Sequence, residues 1–308
     1  MVTDVTGMTR INYEKLIRFV SRSFEKLGVP VSDAEIAANV LVASDLRGVD
    51  THGVIRFNAH AWYVKWLRDG AMTAKPNIRI VAESASTALL DADNGMGMVA
   101  GHRAMAIAIL KAKESGVGIV TVRNSRHYGM SAYYSMLALP HDMIGIAMTN
   151  ASRQVVPTFG RDARFGTNPI CFAVPAKDER PFVLDMATNT AAAGKLELAI
   201  RLSKSIPTGW ALNENAEPTT DPKVAQQARR LLPLGGSRES GSHKGYGPGD
   251  SRRNSLRRAQ RHDHGAQCQP GTARSFFWRH RSGSISSGGG IQSRHGPADS
   301  RIEIDAAG

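Results

Sequence analysis

The spacing of apolar residues divides the chain into a helical opening, a middle of mixed helices and strands, and a closing stretch without period. In NYEKLIRFVSRSFEKLG, residues Leu16, Ile17, Val20, Phe24 and Leu27 fall on one helical stripe, and Gly28 follows as a stop. SDAEIAANVLVASDLRG predicts a second helix, with Ser32 and Glu35 as a capping box and Gly48 at its end. A third is expected from about Val54 to Arg68, before Asp69-Gly70. STALLDADN reads as a strand, and GMGMVAGHRAMAIAILKAKESG as a long helix from about Met98 to Glu114. VGIVTVRN (117–124), MIGIAMTN (143–150), NPICFAVPA (168–176) and PFVLDMAT (181–188) are β-branched or apolar runs bounded by turn residues, and read as strands. MSAYYSMLALPHD predicts a short helix stopped by Pro140, and Ala191–Ser203 a further one.

The connections decide the fold class. Only a few residues join 168–176 to 181–188, and a parallel pair needs a crossover of roughly a dozen. Those strands should therefore pair antiparallel. The expected architecture is α/β of an α+β-like kind: a largely antiparallel mixed sheet with a helical N-terminal part, not a standard Rossmann fold. Three regions are expected: a helical substrate-side region over 1–75, a sheet domain with a helical insertion over 76–247, and an aberrant, disordered tail over 248–308.

Charge sharpens the third boundary. The net charge is +12, and residues 251–308 hold ten Arg, no Lys and four acidic residues, so half of the excess lies there. Ser, Arg, Gly and His dominate that stretch, and apolar periodicity vanishes. Over the full chain the composition is ordinary for a globular protein, with 42% hydrophobic and 21% charged residues. MVTDVTGMTR lacks the apolar core of a signal peptide, and no apolar run is long enough to cross a bilayer. Cys171 and Cys268 make neither a disulfide framework nor a zinc quartet. A cytoplasmic location is expected.

Several short polar clusters could carry chemistry. In GVDTHGVIRF, His52 and Arg56 stand four apart, which on a helix places both on one face. An arginine fork binds a carboxylate, and a nearby imidazole can exchange a proton with an adjacent hydroxyl or keto oxygen. A solvated helix start is the structural alternative. His127 in RNSRHYGM lies just past a strand end, where it is either an acid–base group or a loop histidine bonded to backbone. Asn124–His127, Thr149–Ser152 and Asp185–Thr188 recur at three strand ends and would line one pocket edge if the strands are neighbours. NGMGMVAG imitates a phosphate loop, but no second strand follows at the required distance, so Gly95 and Gly97 read as a tight turn. His262, His264 and Cys268 lack a partner cluster, and no metal is expected.

Taken in order, SDLRGVDTHGVIRF, VRNSRHYG, AMTNAS, FGTNPICFAVPA, LDMATNTAAAGK, IPTGWALNENAEPTTDP and PLGG…HKGYG resemble the malate/L-lactate dehydrogenase family, which includes sulfolactate and ureidoglycolate dehydrogenases. The resemblance implies an NAD- or NADP-dependent oxidoreductase acting on small 2-hydroxy or 2-oxo acids, and a homodimer. By the same resemblance His127 matches the proton acceptor, and His52 and Arg56 the substrate pair. Ser152, Asp185, Met186, Ala187 and Lys244 match cofactor contacts. No membrane or nucleic-acid partner is implied. The alternative, a nucleic-acid-binding or non-catalytic protein with a basic arm, rests on the tail alone. The resemblance breaks off at KGYG, and GAQCQPGTARSFFWRH echoes a later family stretch out of register. A shifted reading frame near residue 247 is expected, with loss of cofactor contacts and activity.

Overall fold

The computed structural model describes residues 11–58, 62–237, 239–248 and 273–281. Helix α1 (Tyr13–Lys26) starts where the Asn12 side chain accepts the Lys15 amide at 2.9 Å, and buries Val20 and Phe24. Helix α2 (Val31–Leu46) begins behind Pro30 without a side-chain cap, so Ser32 lies inside its first turn and the expected capping box does not form. The third expected helix is also corrected. Residues 50–52 and 54–56 are separate 3-10 turns, two residues form β1 (Phe57–Asn58), and helix α3 spans only Trp62–Arg68. Gly53 is extended (φ −87°, ψ −154°), which interrupts any continuous helix there.

Seven strands form the main sheet: β2 (Arg79–Glu83), β3 (Thr87–Asp91), β4 (Val117–Ser125), β5 (Met143–Asn150), β6 (Ile170–Val174), β7 (Phe182–Met186) and, last in the chain, β11 (Ala273–Arg281). Their order is β2-β3-β4-β11-β5-β6-β7. Only β3 and β4 run parallel, joined by helix α4 (Gly97–Ser115); the other neighbours are antiparallel, β6 with β7 among them as the short link required. The chain is therefore a mixed α/β protein with a largely antiparallel sheet and is not doubly wound.

Strand β11 corrects the expectation of disorder across the whole tail. Average composition hides the nine-residue run ARSFFWRHR, whose Phe276, Phe277 and Trp278 suit a strand. Its backbone pairs on both sides, Phe277 opposite Val120 and Ala147. The rest of 249–308, with the His262, His264 and Cys268 group, lies outside the described residues.

One face of the sheet is covered by α4 and α5 (Ser131–Met136). Glycines permit the close approach: a Cβ at Gly118 would collide with the Ala108 carbonyl of α4, and one at Gly145 with the Ser135 carbonyl of α5. On the opposite face, Ile146, Phe172 and Leu184 form one cross-strand row and Val174 and Phe182 another, with Phe182 59% exposed. A single core joins α1, α2 and α3 to this scaffold through Phe24, Leu41, Tyr63, Leu90, Met98, Met105 and Val122. Burying a side chain the size of Phe24 or Leu41 stabilises by about 2 kcal/mol. That core holds Val54, Phe57, Trp62 and Tyr63 near the end of β4.

A smaller layer holds helices α6 (Ala193–Arg201) and α7 (Pro222–Ala228) with a sheet of β8 (Ala211–Leu212), β9 (Pro218–Thr219) and β10 (Arg230–Leu231). Val155, Phe165, Leu196, Ile206 and Leu231 form its own core.

Candidate active site

The loop after β4 is pinned before it carries any chemistry. Asn124 takes a left-handed conformation (φ 52°) and donates to the Asp91 carboxylate at 3.1 Å. The Arg126 amide donates to the Gly95 carbonyl at 3.1 Å, and its Nε to Asn94 Oδ1 at 2.7 Å. Gly95 is part of a tight turn, as expected. Gly97, the first residue of α4, does more: a Cβ there would lie 2.8 Å from the carbonyl carbon and oxygen of His127. The missing side chain lets α4 start directly against the backbone that presents His127.

The opposing wall comes from the two 3-10 turns. The Asp45 carboxylate accepts the Val54 amide at 2.9 Å and fills the space a Cβ on Gly53 would need. His52 and Arg56 are thus set by a carboxylate-capped pair of turns, not by one helical face. The His52 ring stacks on His127 with centroids 5.6 Å apart and planes 23° apart. Its Nδ1 lies 3.0 Å from Thr51 Oγ1.

Two residues that sequence reasoning missed complete the cluster. Trp62 meets His127 edge-on, centroids 5.0 Å apart, and its ring underlies the Arg56 guanidinium at 4.6 Å. The hydroxyl of Tyr63, a fully buried residue, is 2.6 Å from His127 Nδ1. The Gly129 amide donates to the same nitrogen at 3.3 Å. The signal was the run WYVKW (62–66), separated from Arg56 by five residues, which reads as an ordinary helix face.

Arg56 is buried, and two of its nitrogens are engaged. Nε donates to the Thr51 carbonyl at 2.6 Å, and Nη1 pairs with Glu197 of α6 at 3.2 Å. Gly194 allows this contact, since a Cβ there would sit 2.6 Å from Nη2. A small cavity between Asp50, Thr51, Arg56, Glu197 and Arg201 adjoins the pair.

Electrostatics follow from burial. Desolvation holds His127 well below the ordinary histidine value, with His52 and then Arg56 adding to the effect. His52 is lowered to about 4, first by burial and then by Arg56. Both rings are neutral near pH 7. Burial raises the Tyr63 phenol far above its ordinary range, so it is protonated at rest.

The three strand-end clusters share one end of the sheet, with β11 between the first two. Ala273 pairs with Ser125, Arg274 with Asn150, and Met148, Ile170 and Met186 form a row. Thr188 Oγ1 donates to the Thr167 and Asn168 carbonyls at 3.1 and 3.2 Å, and Asn168 Oδ1 accepts the Ala151 amide at 3.0 Å. Ser152 is exposed and accepts from Gln154; Asp185 accepts the Ala132 amide at 2.7 Å. Met186 and Ala187 are half-buried, and Lys244 stands exposed on a helical turn over 243–248. Ser152, Asp185, Met186 and Ala187 therefore stand at the ends of β5 and β7, and Gly245, next to Lys244, lines a small pocket with Thr188.

A nicotinamide cofactor suits that end of the sheet on one observation. The side-chain oxygens of Asn150 and Asn189 are buried with no hydrogen-bond partner among the described residues. Such acceptors match the N–H donors of a carboxamide. Among the described residues, no cluster of His, Cys, Asp or Glu suits a metal.

The chain matches the malate/L-lactate dehydrogenase family over residues 11–249. A malate dehydrogenase from Pyrococcus horikoshii is 48% identical over 239 residues, covering 77% of this chain and 65% of that protein. An L-sulfolactate dehydrogenase from Methanocaldococcus jannaschii is 44% identical over 236 residues, covering 77% and 64%. A solved structure of Pyrococcus horikoshii malate dehydrogenase superimposes with a TM-score of 0.76 at 38% identity, covering 89% of this chain and 76% of that one. The chain spans about 65% of the length of the curated relatives it matches.

Proposed function

This chain belongs to the malate/L-lactate dehydrogenase family, and on that premise we propose that it transfers hydride between NAD or NADP and a small 2-hydroxy or 2-oxo acid. One observation carries the proposal. Residues from three segments converge on His127: His52 from one turn, Arg56 by way of Trp62 from the next, and Tyr63 from α3. A solvated loop histidine has no need of that enclosure.

In this mechanism Arg56 receives the substrate carboxylate, sharing its donors with Glu197. His127 exchanges a proton with the substrate oxygen through Nε2, the ring nitrogen that Tyr63 and Gly129 leave free. Trp62 and the stacked His52 exclude water on two sides. Ser152, Asp185, Met186, Ala187 and Lys244 would hold the cofactor, with the amide oxygens of Asn150 and Asn189. When bound, the cofactor supplies the hydride acceptor or donor. A homodimer in the cytoplasm belongs to the same proposal. So does the frame shift near residue 247, which lies two residues before the end of the family match. Among the described residues no helix is long and apolar enough to cross a membrane.

The test is a panel of malate, lactate, sulfolactate and ureidoglycolate with both cofactors, on the chain as written and with its frame restored. Turnover of a 2-hydroxy acid that His127→Ala abolishes is expected. Equal activity in His127→Ala removes the assigned role, and no turnover with any acid by either chain removes the proposal.

A further inference from the structure

The nitrogen of His127 that faces away from substrate has a crowded and informative environment. The Gly129 amide can only donate, and it points at Nδ1 from 3.3 Å. The Tyr63 hydroxyl stands 2.6 Å from the same atom, and no other hydrogen-bond partner of that hydroxyl is found among the described residues. Tyr63 is completely buried, so its proton needs an acceptor inside the protein. Nδ1 is the acceptor within reach. Two donors aimed at one ring nitrogen leave the imidazole a single neutral tautomer, with its proton on Nε2.

We propose that Tyr63 is a positioning residue that fixes His127 as the Nε2–H tautomer, so that the resting site offers an N–H donor to the oxygen of a 2-oxo acid. As the Nε2 proton completes the product hydroxyl, the Tyr63 proton passes to Nδ1 and keeps the ring neutral, and a solvent proton entering at Nε2 on product release returns the Nδ1 proton to Tyr63. This rests on the dehydrogenase proposal for what occupies the pocket, and adds which form of substrate the empty site is set to receive. A carboxylate at this position would hold a proton on Nδ1 and leave Nε2 bare; a tyrosine does the reverse. The groups that face the ring are His52 and Arg56 from the two turns, Trp62 and Tyr63 at the start of α3, and the Gly129 amide. Of these, Tyr63 alone combines direct contact with a removable proton. Its hydrogen bond favours the neutral ring, in line with the depressed value that burial already imposes.

The test uses the full chain with ring-15N histidine, the His127 signal being assigned by its absence in His127→Ala. In the parent the spectrum should show Nε2 protonated and Nδ1 bare near pH 7. Tyr63→Phe keeps the buried ring and removes only the donor. It should populate the second tautomer and raise the protonation midpoint of His127 by about one pH unit. The acid limb of the activity profile should move with it, kcat falling about tenfold while KM stays within about twofold. Should Tyr63→Phe not fold, 3-fluorotyrosine at position 63, a more acidic donor of nearly the same size, should move the midpoint downward. A parent ring protonated on Nδ1 overturns the inference. So does a midpoint that neither substitution moves, since a purely structural tyrosine would change only the melting temperature. The spectrum is read without turnover, so an inactive substrate panel would leave this result standing, and the wrong tautomer would leave the dehydrogenase proposal standing.

Discussion

Gly97→Ala should damage the active site while improving the intrinsic preference of the helix that carries it. Alanine is favoured over glycine within helices by about 1 kcal/mol, and less at the first position. Here the new Cβ would lie 2.8 Å from the carbonyl carbon and oxygen of His127, and nearer still to the Arg126 carbonyl oxygen. Ordinary carbon contacts begin near 3.5 Å, so either α4 or the 126–127 backbone must move by about 1 Å. Both are packed: Gly97 and Met98 are buried, and Arg126 is held to Gly95 and Asn94. Overpacking of this kind costs about 1–3 kcal/mol, which outweighs the helical gain and lowers Tm by a few degrees. A displacement of about 1 Å at His127 should lower kcat/KM by about 100-fold. Thermal melts and steady-state kinetics of parent and variant, side by side, measure both effects. A variant with a higher Tm and unchanged kcat/KM would refute the proposed contact between α4 and the histidine loop.

Acid should destabilise the protein through its buried histidines. The folded value of His52, about 4, lies below the unfolded value near 6.5, so between those limits the unfolded chain binds more protons. Stability is complete above about pH 6.5 and falls as pH drops toward 4, by about 2–3 kcal/mol from His52, with His127 acting in the same direction. Urea titrations at pH 7, 5.5 and 4.5 check this; a midpoint independent of pH over that range contradicts it. Glu197→Ala should cost only about 1 kcal/mol, because the glutamate is 42% exposed and the Thr51 carbonyl still holds Arg56, a loss that a melting curve resolves.

The sheet strands were legible where burial is one-sided or complete. In β6, Cys171 and Ala173 are buried while Ile170, Phe172 and Val174 are not, and in β4 the run Val120–Val122 is fully buried. Strand β2 left no such trace, because as an edge strand it exposes residues on both faces. Strand β11 was hidden for the opposite reason: its place is set by partners on either side, and its neighbours in sequence are polar. The helix expected over 54–68 failed at Phe57, which leaves helical geometry (φ −82°, ψ 69°) and forms an antiparallel bridge with Trp62, a pairing no helical period records. His52, Arg56 and His127 stood out as polar residues beside glycines. Tyr63 did not, since an aromatic on a helix gives the same pattern whether it fills a core or holds an imidazole.

The central position of β11 also orders events during synthesis. Its first residue pairs with Ser125, 148 positions earlier, and β5 waits on its other side. Until Arg281 has left the ribosome, β4 and β5 each present a bare edge eight or nine residues long. Such edges recruit strands from other nascent chains. Chaperone demand during translation should therefore peak late, and cuts made anywhere between β7 and β11 should yield aggregates rather than soluble fragments.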